Sequence, residues 1–234
     1  MDIGKSFTFV FEDDRWITKI LIAAAILAVG WVFVWLAAIP LILAFLLLAG
    51  YQVEITRRVI RGVTPRLPEW DDWGKLLAEG VKFAVIGLVY ALPAIVVSIC
   101  LGVPLGIFGE NSQGDPTWVN WVLGGPLACL NILWAIFVAL VLPAAVAFYV
   151  ANDDLGAAFR FGEVVRFTYK NVTTYIVTAI MSWVASLIGG LGTWLCLIGW
   201  LATYPYSIMV TGHLYGQAYL QATQPAAPAP EPAS

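Results

Sequence analysis

Charged residues are scarce in this chain of 234 residues: aspartate, glutamate, lysine and arginine together make up 12% of it, while hydrophobic residues make up 61%. A water-soluble protein carries roughly a quarter charged residues, because they cover its surface. The composition therefore excludes an ordinary soluble domain and predicts an all-α integral membrane protein. The small net charge of −3 gives no sign of nucleic acid as a partner.

Cysteine and histidine are rare as well. The cysteines Cys100, Cys129 and Cys196 each lie inside an apolar run, which predicts small hydrophobic side chains and neither a disulfide framework nor a metal site. The single histidine is His213. A membrane histidine can ligate haem or chlorophyll or relay protons, so His213 is the candidate cofactor residue. A hydrogen-bonded packing role is the favoured alternative, and we expect no cofactor.

The N-terminal segment lacks the form of a secretory signal. It is acidic at residues 12–14, its apolar run is too long, and no small-residue cleavage site closes the run. We expect the first span to remain as an uncleaved anchor. Residues 1–19 alternate aromatic and polar side chains, which predicts an amphipathic lead-in at the depth of the lipid headgroups.

Long uncharged runs predict a six-span helical bundle. The run from Ile20 to Val53 would measure about 51 Å as one helix, against a hydrocarbon core of about 30 Å. Pro40 suits the first turn of a second helix and divides the run. Applied along the chain, this reasoning predicts one transmembrane domain over residues 1–223, with spans at 17–37, 40–60, 81–103, 121–150, 173–189 and 193–218. Residues 224–234, rich in proline and alanine, are predicted to form a disordered cytoplasmic tail.

All 12 basic residues fall in three segments, residues 5–19, 57–82 and 160–170. The six predicted spans put these three segments on one side of the membrane and leave the three opposite turns without a basic residue. Cytoplasmic loops are enriched in lysine and arginine. The pattern therefore predicts a multi-pass protein of the cytoplasmic (inner) membrane with both termini in the cytoplasm.

A short Asp-x-Gly phrase precedes each predicted hairpin, at Asp2, Asp72 and Asp154. It suggests one unit used three times: a capping aspartate, an interfacial helix and a transmembrane hairpin. In the second unit the interfacial helix is expected at residues 73–79. In the third, an amphipathic helix is expected to turn Phe159, Val164 and Phe167 toward lipid. Chance is an equally weighted alternative.

A motif in the central charged segment resembles the hallmark of a known family. The chain reads Arg57-Arg58-Val59-Ile60-Arg61-Gly62 and then Leu67-Pro68-Glu69-Trp70-Asp71-Asp72-Trp73-Gly74. It is similar to small multi-span prokaryotic proteins that carry a domain of unknown function, the DUF4013 type. The resemblance implies an integral protein of a bacterial or archaeal cytoplasmic membrane. It implies no activity, substrate or catalytic residue.

The acidic and aromatic part of this motif is the main candidate site: Glu69, Trp70, Asp71, Asp72 and Trp73. A structural anchor is the favoured interpretation, with an aspartate capping a helix and tryptophans at headgroup depth. Docking of a partner protein is the second, and a divalent cation held by the three carboxylates is the third. The nearby cations are expected to contact anionic lipid headgroups at the cytoplasmic leaflet: Arg57, Arg58, Arg61, Arg66, Lys75 and Lys82.

The spans carry few groups that could perform chemistry. The sequence has no Gly-rich phosphate loop, serine triad or His/Cys metal spacing, so we expect no enzyme. We predict a non-enzymatic accessory or scaffold subunit of a membrane complex. The alternatives are a transporter or channel for an uncharged or lipidic solute, using the proline-broken spans, and a pigment- or haem-associated subunit using His213.

Overall fold

The computed structural model describes residues 3–32, 39–64, 67–103, 118–195 and 198–223, and every regular element in these ranges is helical. The α-helices, in chain order, are α1 (Ile3–Thr8), α2 (Trp16–Val32), α3 (Ile39–Ile60), α4 (Trp73–Val97), α5 (Trp118–Asn152), α6 (Leu155–Ala158), α7 (Phe161–Lys170), α8 (Val172–Leu191) and α9 (Ile198–Thr223). Short 3₁₀ turns cover Phe9–Glu12 and Gly192–Leu195, and a π-helical turn at Ser98–Gly102 prolongs α4.

Four stretches among these helices are long and apolar enough to cross a membrane: Ile39–Ile60, Trp73–Gly102, Val122–Asn152 and Val172–Trp194. Helices of this length and composition indicate a membrane protein, so the predicted all-helical membrane class is confirmed. The apolar stretch of α2, Trp16–Trp31, is shorter, and α9 does not reach the same hydropathy. Four spans are therefore supported by length and composition, and the predicted count of six stays a prediction.

Consecutive long helices run antiparallel. Gly30 of α2 lies against Pro40 at the start of α3, and the indole N–H of Trp134 in α5 donates to the carbonyl oxygen of Tyr90 in α4 at 3.0 Å. Near the other end of the chain, Gly189 of α8 lies against Ser207 of α9. Helix α3 is at the centre, where it packs against α2, α4, α5 and α9.

Glycines let α3 approach two neighbours closely. At the crossing with α4, a Cβ atom on Gly50 would lie 1.8 Å from the carbonyl oxygen of Leu76, and one on Gly80 would lie 1.8 Å from that of Leu46. Because neither helix has a side chain there, the two backbones touch, as small residues allow in membrane bundles. On the opposite side, Gly212 of α9 packs on α3 in the same manner, with the Thr56 hydroxyl donating to its carbonyl oxygen at 2.9 Å.

The helix ends follow local chemistry. Pro40 lies in the first turn of α3, as predicted, and Gly62 closes the same helix with a φ of 66° that favours glycine. Two of the predicted capping aspartates are confirmed: Asp72 Oδ1 accepts from the amide of Lys75 at 2.9 Å, and Asp154 Oδ1 accepts from the amide of Gly156 at 3.0 Å. The third, Asp2, lies outside the described residues.

The prediction of a separate interfacial helix at residues 73–79 was wrong. Helix α4 runs without a break from Trp73 to Val97, so this segment forms its first two turns. Gly80 does not end the helix, since the missing side chain there serves the crossing with α3.

The third lead-in also differs from the expectation. It consists of two helices, α6 and α7, and its apolar side chains face protein. Val164 is buried in the core cluster around Tyr149 and Tyr175, and Phe159 and Phe167 pack against that cluster. The first lead-in is helical, but Phe9 and Val10 are buried against α3 and α9. The three lead-ins thus have different structures, and the threefold repeat is not confirmed.

Several predictions concern residues outside the described ranges. These are the polar turn after the third span, most of the first outer turn, Arg66, Cys196 and the tail at 224–234. Cys100 and Cys129, which the structure does describe, are exposed on the surface of the chain.

Candidate functional site: the charged end of the bundle

Residues 67–72 lie across one end of the bundle and are held there by side chains from α2 and α3. The carbonyl oxygen of Leu67 accepts from Lys19 Nζ at 3.2 Å and from Arg58 Nη1 at 3.3 Å. The next carbonyl, of Pro68, accepts from the Tyr51 hydroxyl at 2.9 Å. Leu67 is itself buried, so the segment packs as part of the bundle.

The aromatic residues of the motif divide between the inside and the outside of the protein. Trp70 stacks on Tyr51, with ring centroids 4.3 Å apart and an angle of 10° between the planes. The ring centroids of Trp73 and Trp70 are 5.8 Å apart, and Trp73 is 45% exposed. Of the two predicted docking tryptophans, Trp70 is therefore engaged within the chain, and Trp73 faces outward.

The acidic residues of the motif have separate partners. Glu69 pairs with Arg15 at 2.8 Å and with Lys19 at 2.9 Å. Asp72 caps α4, and Asp71 Oδ1 accepts from the amide of Asp72 at 2.9 Å. Within the described ranges, no group of three histidine, cysteine or acidic side chains is arranged to hold a metal ion. Docking by this motif stays a prediction.

Lys19 is the buried centre of one charge group, the Lys19 cluster, made of Asp13, Arg15, Lys19 and Glu69. Its side chain is 2% exposed, and its ammonium donates to Asp13 Oδ2 at 2.8 Å, besides its contacts with Glu69 and Leu67. An ammonium has three donors, and three acceptors surround this one. Burial raises the pKa of the Asp13 carboxyl, but hydrogen bonds from Lys19 and from the Arg15 amide outweigh it, so that pKa lies below its ordinary value.

A second group, the Arg57 cluster, joins three helices: Glu54 and Arg57 of α3, Glu79 and Lys82 of α4, and Tyr149 of α5. The Arg57 guanidinium donates to Glu54 Oε2 at 2.8 Å and to Glu79 Oε2 at 2.7 Å. Glu79 also accepts from the Tyr149 hydroxyl and, at 2.9 Å, from Lys82. The Arg57 and Glu79 side chains are each 8% exposed. Charges this deeply buried are tolerated only when they are paired and hydrogen-bonded, as these are.

These contacts bring the three charged segments of the chain to one end of the bundle. Arg15 and Lys19 of the first segment reach Glu69 of the second. Arg61 of the second segment pairs with Asp153, which lies seven residues before the third. Among the residues that the structure describes, these ion pairs therefore lie together at one end of the bundle.

A family model described as "Protein of unknown function (DUF4013)" matches residues 33–198, which is more than half of the chain. The chain belongs to the DUF4013 family. The predicted family is therefore confirmed, while the bacterial or archaeal origin stays a prediction. Searches of curated proteins and of solved structures each gave no match.

The part of this DUF4013 protein that matches the family contains the whole Arg57 cluster. The Lys19 cluster is divided: Glu69 lies within the matched residues, whereas Asp13, Arg15 and Lys19 precede them. His213 follows the matched residues. The Arg57 cluster is therefore the feature of the charged end that coincides most fully with the family.

The cations predicted to contact lipid headgroups differ in what they face in this DUF4013 protein. Arg57 is buried and turned toward Glu54 and Glu79, so its guanidinium is directed into the bundle. Lys75 pairs with Glu54 at 3.1 Å, yet about half of its side chain is exposed. The partly exposed members of the predicted set are Arg58, Arg61, Lys75 and Lys82. Headgroup contact by these four stays a prediction.

His213 is completely buried at the contact between α9 and the N-terminal lead-in. Its ring stacks on Phe9 with centroids 4.2 Å apart, and its Nδ1 lies 3.1 Å from Ser6 Oγ. The Ser6 hydroxyl donates to Gln217 Oε1 at 3.4 Å. One face of the imidazole and one of its nitrogens thus hold the N-terminal lead-in to α9, which is the packing role favoured from the sequence.

Sequence reasoning missed Glu79 and Tyr149. The predicted third span began at residue 81, which left Glu79 outside the membrane, and Tyr149 was one aromatic residue among many. A signal was available for the first: Glu79 and Lys82 stand three residues apart within a strongly apolar helix, where an unpaired acid is costly. Nothing local in the sequence marks Tyr149 as its partner.

Proposed function

We propose that this DUF4013 protein is a non-enzymatic accessory or scaffold subunit of a complex in the cytoplasmic membrane. It would act by association through a hairpin formed by α4 and α5. The observation that carries the proposal is the exposure of the distal half of this hairpin, the part remote from the charged end. No side chain is buried from residue 91 to 103 of α4 or from 122 to 140 of α5, whereas eight of the ten from 141 to 150 are buried.

Polar contacts join α4 and α5 in the described part of the distal hairpin and at its edge. The Ser98 hydroxyl donates to Asn131 Oδ1 at 3.1 Å, and Trp134 donates to the Tyr90 carbonyl. Contact with lipid alone would satisfy an apolar surface, so exposure by itself does not require a partner. The outer face of α5, however, is also lined by small residues, Gly125 and Ala128, which allow close approach of another helix.

The ionic groups at the other end support a structural role over catalysis. Arg57 and Glu79 are paired with each other and with neighbouring side chains, and Lys19 has all its donors engaged. Groups bound in this manner hold helices together and are not presented to a substrate. This favours a protein that works through its surface.

Replacing Gly125 with leucine should remove the partner without unfolding the protein. A Cβ atom at Gly125 meets nothing within 4 Å in the chain, so leucine is accommodated at that position but blocks close approach of a second helix. Tagged protein purified from its native membrane in mild detergent should carry a specific membrane protein, identified by mass spectrometry. With the Gly125→Leu variant as the tagged protein, we expect recovery of this partner to fall by about tenfold, equivalent to roughly 1.4 kcal/mol of binding free energy.

Gly190→Leu is the matched control, since a Cβ atom there also meets nothing within 4 Å but the residue lies on α8. This variant should retain the partner. If the unmodified protein is recovered only as a monomer or homo-oligomer, the accessory role is wrong. If Gly125→Leu and Gly190→Leu recover the partner equally, the association surface lies elsewhere.

We also propose a multi-pass topology of six spans, with both termini and all three basic segments in the cytoplasm. The antiparallel course of the long helices and the meeting of the charged segments at one end support it. In this arrangement α2 and α9 cross the membrane with the four longer apolar stretches.

Cysteine labelling tests this topology. In a background with the native cysteines replaced by alanine, Gln113→Cys should react with a membrane-impermeant maleimide in intact cells. Thr64→Cys, at the charged end, should react only after the cells are permeabilised. Labelling of Thr64→Cys in intact cells, with Gln113→Cys protected, would invert the topology and refute the cytoplasmic placement of the basic segments.

A further inference from the structure

A groove along α2 continues from the charged end into the apolar part of the protein. Its apolar section is a cavity of about 500 Å³ between α2 and α3, open to the side and capped at one end by Trp73. Its polar section is a cavity of about 240 Å³ beside residues 69–71. Ile22 lines both sections, and Trp70 and Trp73, which line one each, are in contact. The two sections therefore form one groove with an apolar and a charged end.

The length of the apolar section matches one leaflet of a bilayer. It extends along α2 from Ile22 to Gly30, which is about 12 Å at 1.5 Å per residue. Half of a hydrocarbon core of about 30 Å is about 15 Å. Trp73, half-exposed at the junction with the charged section, stands where tryptophan concentrates in membrane proteins, at the boundary between hydrocarbon and headgroups. An acyl chain of a lipid in the adjoining leaflet fits this section.

The charged section offers both a cation and an anion. Of its four charged residues, Lys19 is saturated by Asp13, Glu69 and the Leu67 carbonyl. Arg15 is 68% exposed, so its guanidinium has donors on the solvent side besides the contact with Glu69. Asp71 also lines the section, and no cation in the described part of the chain forms an ion pair with its carboxylate. A ligand with a phosphate and an ammonium group complements this pair.

We propose that the groove binds one zwitterionic phospholipid with a primary ammonium headgroup, of the phosphatidylethanolamine class. Its phosphate accepts from Arg15, its ammonium donates to Asp71, and an acyl chain lies between α2 and α3. An anionic lipid without an amine meets the Asp71 and Glu69 carboxylates and is disfavoured. A choline headgroup carries the same charges but has no N–H to donate, so it binds more weakly.

The test compares three lipids that share the same acyl chains. Full-length protein in detergent is stripped of lipid, mixed with equimolar dioleoyl phosphatidylethanolamine, phosphatidylcholine and phosphatidylglycerol, re-isolated and examined by native mass spectrometry. We expect one lipid per chain, with the ethanolamine form retained about tenfold over each of the others. Equal retention of the three lipids, or no retained lipid, overturns the proposal.

Two pairs of variants separate the headgroup site from the acyl groove. Asp71→Asn should bring ethanolamine and choline lipids to near parity, whereas Asp72→Asn, the same change one residue away at a helix cap that asparagine also fills, should leave the preference intact. Ala25→Trp fills the groove and should abolish retention, but Leu21→Trp, at an exposed position of α2 that does not line it, should not. If Asp71→Asn does not fold, Arg15→Gln takes its place and should lower retention of the ethanolamine lipid. An unchanged preference in folded Asp71→Asn, or unchanged retention of the ethanolamine lipid in Arg15→Gln, overturns the assignment of the headgroup.

Discussion

Replacing Gly80 with alanine should destabilise the folded protein by about 3 kcal/mol, at the upper end of the usual cost of overpacking a core. The new Cβ atom would lie 1.8 Å from the carbonyl oxygen of Leu46 and 2.7 Å from its carbonyl carbon. Both are backbone atoms of α3, which no change of rotamer can move away. Relief requires α3 and α4 to separate, and that separation also disturbs the pairing of Arg57 with Glu79. The free energy of unfolding in mixed detergent micelles, followed by circular dichroism, measures the effect.

Gly87→Ala on the same helix is the control, because a Cβ atom there meets nothing within 4 Å. Its effect should be within about 1 kcal/mol of zero and on the stabilising side, since alanine favours a helix more than glycine does. The reciprocal change Gly50→Ala should cost about as much as Gly80→Ala. The double variant should cost less than the sum, because one separation of the helices relieves both clashes. Similar stability of Gly80→Ala and Gly87→Ala would show that the two backbones do not touch at the crossing.

The same glycine shows where sequence analysis reaches its limit. The predicted second span, residues 40–60, agrees closely with the observed Ile39–Ile60, because a proline marks its start and a group of arginines marks its end. The predicted interfacial helix at residues 73–79 and the predicted third span from residue 81 meet at Gly80, which in the structure lies inside one continuous helix. Whether a glycine breaks a helix or admits a neighbouring one depends on what lies opposite, and Leu46 is 34 positions away in the chain.

The candidate site shows the same division between local and distant information. The cap by Asp72 and the pair of Glu54 with Arg57 were predictable because their partners are three residues away. The pairing of Arg57 with Glu79 spans 22 residues, and that of Lys19 with Glu69 spans 50. Arg57 was assigned to lipid headgroups from its position beside an apolar run. Only the packing of α3 on α4 determines that its guanidinium faces protein.

Removing the positive charge from Arg57 should have the other large effect. Arg57→Met leaves two carboxylates, Glu54 and Glu79, buried without their central partner, and breaking a buried pair in this manner costs about 3–5 kcal/mol. Lys75 and Lys82 also contact these acids, at 3.1 and 2.9 Å, and should hold the loss near 3 kcal/mol. The free energy of unfolding in mixed micelles at pH 7 measures it.

Arg61→Met is the matched control. It removes the same group one turn further along the chain, where Arg61 forms a half-exposed ion pair with Asp153. Exposed pairs contribute little, so this variant should lose less than about 1 kcal/mol. In the double variant Arg57→Met, Glu79→Leu, one of the stranded carboxylates is gone, and part of the stability lost in Arg57→Met should return. If the second substitution adds its own cost in full, Arg57 and Glu79 stabilise the protein independently, and the cluster is not the electrostatic unit that joins α3, α4 and α5.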